Sequence, residues 1–183
     1  MGNSNIQTTL VTRGASSGLV NLTNTMTEVI LALALQYAPG LTTFYKGLRP
    51  LSAESINIPC IMVQPMGVKA SMNTTAKFHK YYTFDIWYVV GGESIEEAVE
   101  KCTSIAEIFI KLFSNDALND QGSGHDTNSF KKYSNSSIDG VNWLDSEMSR
   151  VEWSVPFLSG RPGGPKYVAW GNFQLTTETQ NLV

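Results

Sequence analysis

The chain has 183 residues, of which 42% are hydrophobic and 16% charged, and its net charge is −3. These values suit one globular domain long enough to bury a core, and they exclude a dedicated nucleic-acid binder, which needs clustered Lys and Arg. Lys131-Lys132 is the one pair of adjacent cations, and abundant Ser, Thr and Asn at low charge predict a surface that meets other protein.

The opening MGNSNIQTT has no basic head followed by an apolar stretch, so no signal peptide is expected. Gly14-Ala15-Ser16-Ser17-Gly18 then satisfies G-x-S-x-G, the nucleophile elbow that would make Ser16 the attacking group of a small serine hydrolase. The run from Thr12 to Gly18 is similar to the glycine-rich turn by which short-chain dehydrogenases hold a dinucleotide. The elbow needs a helix leaving directly after the serine, whereas the first helix signal is the capping box Thr25-Met26-Thr27-Glu28. A triad also needs a histidine, and His125 lies in the most polar part of the chain. The dinucleotide reading lacks a further glycine after Gly18 and a Tyr-x-x-x-Lys pair. GASSG is therefore read as a small-residue linker, and residues 1–24 as a flexible N-terminal segment.

From Thr25 the residues Met26, Val29, Ile30, Leu33 and Tyr37 recur at helical spacing until Pro39-Gly40, which predicts a short amphipathic helix. Ile56 to Pro65 is apolar on both faces and reads as a covered strand, with Pro59 marking an edge or a strand start. Residues 66–80 carry small and polar side chains with a glycine and read as a long, mobile hairpin loop.

FHKYYTFDIWYVV is the clearest strand: Phe78, Tyr82, Phe84, Ile86, Tyr88 and Val90 share one face, with His79, Tyr81, Thr83, Asp85, Trp87 and Val89 on the other. After Gly91-Gly92, a second capping box at Ser94-Ile95-Glu96-Glu97 opens the main helix. Ile95, Ala98, Val99, Cys102, Ile105, Ala106, Phe109 and Phe113 form its stripe, and Val99, Cys102, Ala106 and Phe109 are expected to be buried against the sheet.

Residues 114–149 read as a polar insert without structure of its own, and a loop that long tends to be functional. Two strands are expected to close the domain: one through Val151, Trp153, Val155 and Phe157, and one in KYVAWGNFQLTTE. In the latter, Trp170 and Phe173 are three apart, so a bulge at Gly171-Asn172 is predicted to bring Val168, Trp170, Phe173 and Leu175 to one face. The domain spans 25–177, with 178–183 frayed.

Cys60 and Cys102 lie in apolar runs and are expected as buried free thiols. The cysteines and histidines never fall at metal-ligand spacing, and no cofactor, metal or catalytic residue is assigned. Asp85 is read as solvent-facing beside Thr83, and Trp87 with Trp153 as cross-strand packing or a subunit contact.

The order carried by TMTEVILALALQYA, IPCIMVQP, YYTFDIWYVV, IEEAVEKCTSIAEIFIKLF and a final hairpin resembles the tail terminator (tail completion) proteins of long-tailed bacteriophages. The resemblance covers most of the chain from Thr25 to Thr177 by element order and texture, without signature residues. It implies an α+β fold with a mixed or antiparallel sheet of about four to five strands, and a long helix and a shorter N-terminal helix packed on one face. It also implies a structural virion protein made in the host cytoplasm. Six copies would form a ring that caps the tail tube protein, ends its polymerisation and joins it to the head–tail connector protein, with genome DNA passing through the lumen. On that expectation Met72, Asn73, Thr74, Lys77, Tyr81 and Trp87 are the candidate subunit or tube interface, and the insert at 114–149 departs from the shortest family members. Two rivals stay open: another neck component, such as a connector or completion protein, and the hydrolase using Ser16.

Overall fold

The computed structural model describes residues 19–38, 40–51, 56–74, 77–113, 141–160 and 162–181. In chain order these form α1 (Leu19–Tyr37), β1 (Thr43–Lys46), β2 (Cys60–Thr74), β3 (Lys77–Gly92), α2 (Ile95–Phe113), β4 (Val141–Met148), β5 (Glu152–Trp153), β6 (Phe157–Leu158) and β7 (Tyr167–Asn181). The fold is α+β, with one mixed seven-stranded sheet in the order β1-β2-β3-β7-β4 and β5 and β6 also paired to β7. Among the described residues only β1 and β2 run parallel; every other pairing is antiparallel.

Both helices cover one face of the sheet. The alternation of β3 decides which: Tyr82, Phe84, Ile86, Tyr88 and Val90 are buried with Ile61 and Val63 of β2, Phe173 and Leu175 of β7, and the inner faces of both helices. The Ser94 box starts α2 as expected. The Glu97 N–H donates to Ser94 Oγ at 3.1 Å, and the Glu97 carboxylate accepts the Glu93 N–H at 2.7 Å. Its Lys101 partner first, and that N–H next, hold the Glu97 carboxyl below its ordinary pKa. Phe109 is fully buried and rests edge-on to Tyr88, their ring centroids 5.4 Å apart. Val99, expected in the same stripe, is 41% exposed and Ile95 46%. The buried arc centres on Cys102, Ala106 and Phe109, and Val99 falls on its flank.

Several expectations need correcting. Helix α1 begins at Leu19 and is as long as α2, 19 residues each, so it is not the shorter helix and the flexible segment does not reach residue 24. Helical spacing runs upstream through Leu19, Leu22 and Met26, and the Thr25–Glu28 pattern lies inside the helix. There Thr27 donates its hydroxyl to the Thr23 carbonyl at 2.9 Å, as a mid-helix threonine does. Among the described residues the sheet has seven strands, where about four to five were expected. One extra strand, β4, lies in the supposed insert, whose average polarity hid the run Val141-Asn142-Trp143-Leu144. The closing strand through Trp153 is broken into β5 and β6, with Trp153 55% and Val155 84% exposed. At the other end, β7 extends to Asn181, beyond the expected fraying point.

The predicted bulge is absent, because β7 pairs with β3 in one unbroken register from Tyr167 to Asn181. Gly171 has a different cause. It stands opposite Tyr88, and a Cβ built on it would meet the Tyr88 ring at 2.2 Å. That space lets the Tyr88 hydroxyl reach the Cys102 carbonyl, to which it donates at 3.1 Å. Burial pushes the Tyr88 hydroxyl and the Cys102 thiol above their ordinary pKa values. With a regular ladder the two apolar pairs part: Phe173 and Leu175 enter the helix-side core, while Val168 and Trp170 go to the opposite face. There a second, smaller core forms from Ile56, Cys60, Met62, Val89 and Val168, flanked by Tyr45, Leu51, Ile58, Trp87 and Trp170. Both cysteines are free and buried, as expected, and burial pushes the Cys60 thiol up to about 11.

Candidate interaction surface

Of residues 66–80, expected as a mobile loop, 66–74 and 77–80 are the outer parts of β2 and β3. Their pairing runs from Pro65↔Phe84 to Thr74↔Lys77, with register shifts at Met66 and Asn73. The composition misled because no buried face sets a pattern there. Met66 to Ala70 are all exposed, so burial imposes no alternation on them.

At this end of the sheet β2, β3, β7 and β4 make a four-stranded antiparallel ribbon. Met72, Phe78, Asn181 and Val141 form its first row, and Pro65, Phe84, Leu175 and Met148 its last. Seven rows lie between these limits inclusive, roughly 20 Å along the strands.

The face of the ribbon away from the helices is a polar row held by cross-strand bonds. Glu178 of β7 accepts from the Tyr81 hydroxyl at 3.1 Å and lies 2.5 Å from His79 Nδ1. Partial burial first, and the Glu178 carboxylate next, raise the Tyr81 pKa, keeping that hydroxyl protonated as a donor. Thr83 and Thr176 approach across the next rows at 3.4 Å. Asp85, expected to face solvent, is instead half-buried; its carboxylate accepts the Asn172 amide at 2.7 Å and the Trp87 indole N–H at 3.0 Å.

The six candidate interface residues do not form one patch. Met72, Asn73, Thr74 and Lys77 stand together at the hairpin tip, and Tyr81 lies four residues down β3. Trp87 is ten residues from Lys77, roughly 34 Å along an extended strand. It packs against Trp170 with ring centroids 4.8 Å apart, on the flank of the second core. Trp153 is not its partner, since Trp153 pairs with Gly171 while Trp87 pairs with Asn172, and consecutive positions point to opposite faces.

Ser16 and His125 lie outside the described residues. Because α1 follows Gly18 directly, the gap of coil that separated the elbow motif from a helix does not exist. Among the described residues no three His, Cys, Asp or Glu side chains gather as a metal site, and no helix is long and apolar enough to cross a membrane. No protein-family model matches this sequence, and no curated protein is similar to it at a significant level.

Proposed function

We propose that this chain is a structural ring protein of a long-tailed bacteriophage, a tail terminator that caps the tail tube and offers its other side to the head-side connector. The observation that carries the reading is the helix-backed sheet with a β2–β3 arm whose β2 strand is exposed from Met66 to Ala70. Together with the order of the elements, it accords with the resemblance read from the sequence. A one-sided helix layer gives each copy a rigid back, and the arm gives it reach toward a tube. Genome DNA would pass through the lumen without being gripped, which suits the net charge of −3. The reading assigns no catalytic residue and no cofactor.

Deleting residues 72–76 tests the arm. The deletion joins Ser71 to Lys77 and leaves Lys77-Phe78 as a two-residue turn beneath the Ser71↔His79 pair, a length that suits a hairpin. The shortened protein should keep its far-ultraviolet circular dichroism and melting temperature. Added to polymerising tail tubes, the full chain should stop growth at a fixed length and the shortened chain should not. Tubes that grow unchecked in the presence of the full chain would refute the terminator reading. Binding to the connector alone would move the protein to another neck position. Ester hydrolysis lost in Ser16→Ala would establish the hydrolase instead.

A further inference from the structure

Among the described residues the ribbon has two unpaired sides. On one, β1 ends at the Lys46↔Val63 pair, so β2 beyond Val63 has no strand beside it among the described residues. On the other, β4 pairs only with β7 among the described residues. Free strand edges present rows of backbone donors and acceptors that pair readily with another strand.

The hydrogen bonds fix which groups are free. Thr43 and Gly47 donate to the carbonyls of Pro59 and Val63, so the odd-numbered residues at the start of β2 turn their backbone toward β1. The bulge at Met66 shifts this alternation by one, so Val68, Ala70 and Met72 turn their N–H and C=O groups outward while Gly67, Lys69 and Ser71 bond to β3. Pro65 stands at the last outward position before the bulge, where its missing N–H costs nothing. On the far side Ser149 donates to the Gln174 carbonyl, so even-numbered residues of β7 face β4. Asn142, Asp145 and Glu147 are their partners, and Val141, Trp143, Ser146 and Met148 turn their backbone outward.

We propose that these two edges are halves of one seam, in which β2 of one copy of this chain pairs antiparallel with β4 of the next. Three observations converge on a second copy as the occupant. The free edges are level, each covering the same seven rows from Phe78 to Phe84 of β3 and each carrying a single bulge within them, at Met66 and Leu144. Their directions fit: β2-β3-β7-β4 alternates throughout, so a neighbouring β2 beside β4 continues the alternation. Their charges also fit. Lys69 pairs with Tyr81 and Glu147 with Thr176, both on the helix-free face; both charges are exposed and two rows apart, at diagonal cross-strand positions of the seam. Such a contact is head-to-tail and joins two different patches, so it closes only as a ring or runs on as a fibre. The seam rests on the ring reading only for closure; the pairing itself stands on the two edges.

Proline at an outward position tests it. Ala70→Pro removes an N–H that the β2–β3 ladder does not use, so the monomer should fold, with circular dichroism like the parent. Ala70→Ser keeps the N–H and serves as the control. Sedimentation and native mass measurement should find the full chain and Ala70→Ser oligomeric, and Ala70→Pro dissociating at least about tenfold more readily. Amide exchange at Val68, Ala70 and Ser146 should be slow in the oligomer and fast in Ala70→Pro. A parent chain that stays monomeric, or an Ala70→Pro chain that assembles as well as the parent, overturns the seam. If the parent assembles through this seam yet leaves tubes uncapped, the terminator reading falls and the seam stands. If the parent caps tubes while Ala70→Pro assembles normally, the seam falls and the reading stands.

Discussion

The two faces of β3 are built from alternate residues of one strand, yet different forces hold them. On the helix side Tyr82, Phe84, Ile86, Tyr88 and Val90 are buried, and each large side chain contributes through the area it removes from water. On the other side His79, Tyr81, Thr83 and Asp85 are half-buried, and each is fixed by one or two named cross-strand partners. Area burial is collective and large, whereas a half-exposed polar contact contributes little net stability because water competes for the same groups. The helix face should therefore decide whether the chain folds. The open face, by contrast, sets what the folded sheet presents.

Substitutions on the two faces test this contrast. Phe109→Ala empties a site walled by Tyr88, Phe113 and Phe173 and should cost about 3–5 kcal/mol by denaturant titration. A loss below about 1 kcal/mol would mean that α2 is not the clamp on the sheet. Gly171→Ala introduces a methyl into the Tyr88 ring and should cost about 1–3 kcal/mol. Combining it with Tyr88→Leu should cost less than the sum of the two single changes, and simple additivity would separate Gly171 from Tyr88. On the open face, Asn172→Ala removes the amide that Asp85 accepts and leaves Asp85 its indole partner. It should cost only about 0.5–1.5 kcal/mol. A larger loss than that of Gly171→Ala would reverse the ranking of the faces.

How much of this was legible follows the same division. β3 and α2 were readable because a buried face imposes a period of two or 3.6 on the residues that line it, and the Ser94 box marked where α2 starts. The apolar run 56–65 was read as a strand with Pro59 at an edge or a start, and β2 begins just after it, at Cys60, and runs on to Thr74. The outer part of β2 was not legible, since exposed residues such as Met66 to Ala70 have no reason to alternate; Gly67, Lys69 and Ala70 look the same in a loop. Nor was β4, which pairs across the sheet but sits in a polar context. Gly171 was singled out for a real anomaly, the three-residue spacing of Trp170 and Phe173, but sequence alone does not reveal that two separate cores divide those side chains. Of the candidate interface, four of six residues stand at one tip, while Trp87 is half-buried against Trp170 because a strand face that alternates with polar residues can still carry a second core.

The central place of β7 also has a kinetic consequence. Its partners in β3 are remote, with His79 and Glu178 99 positions apart, while the β2–β3 hairpin and α2 are closed by local contacts. Local pieces form quickly; pairing that must first close a long loop is slow. During refolding, hairpin and helix should therefore assemble early and wait for β7. In that interval the inner edge of β3, with Phe84, Ile86 and Tyr88 beside it, is bare and open to the wrong partner. The yield of native protein should consequently fall as refolding concentration rises, because a second chain competes with β7 for that edge.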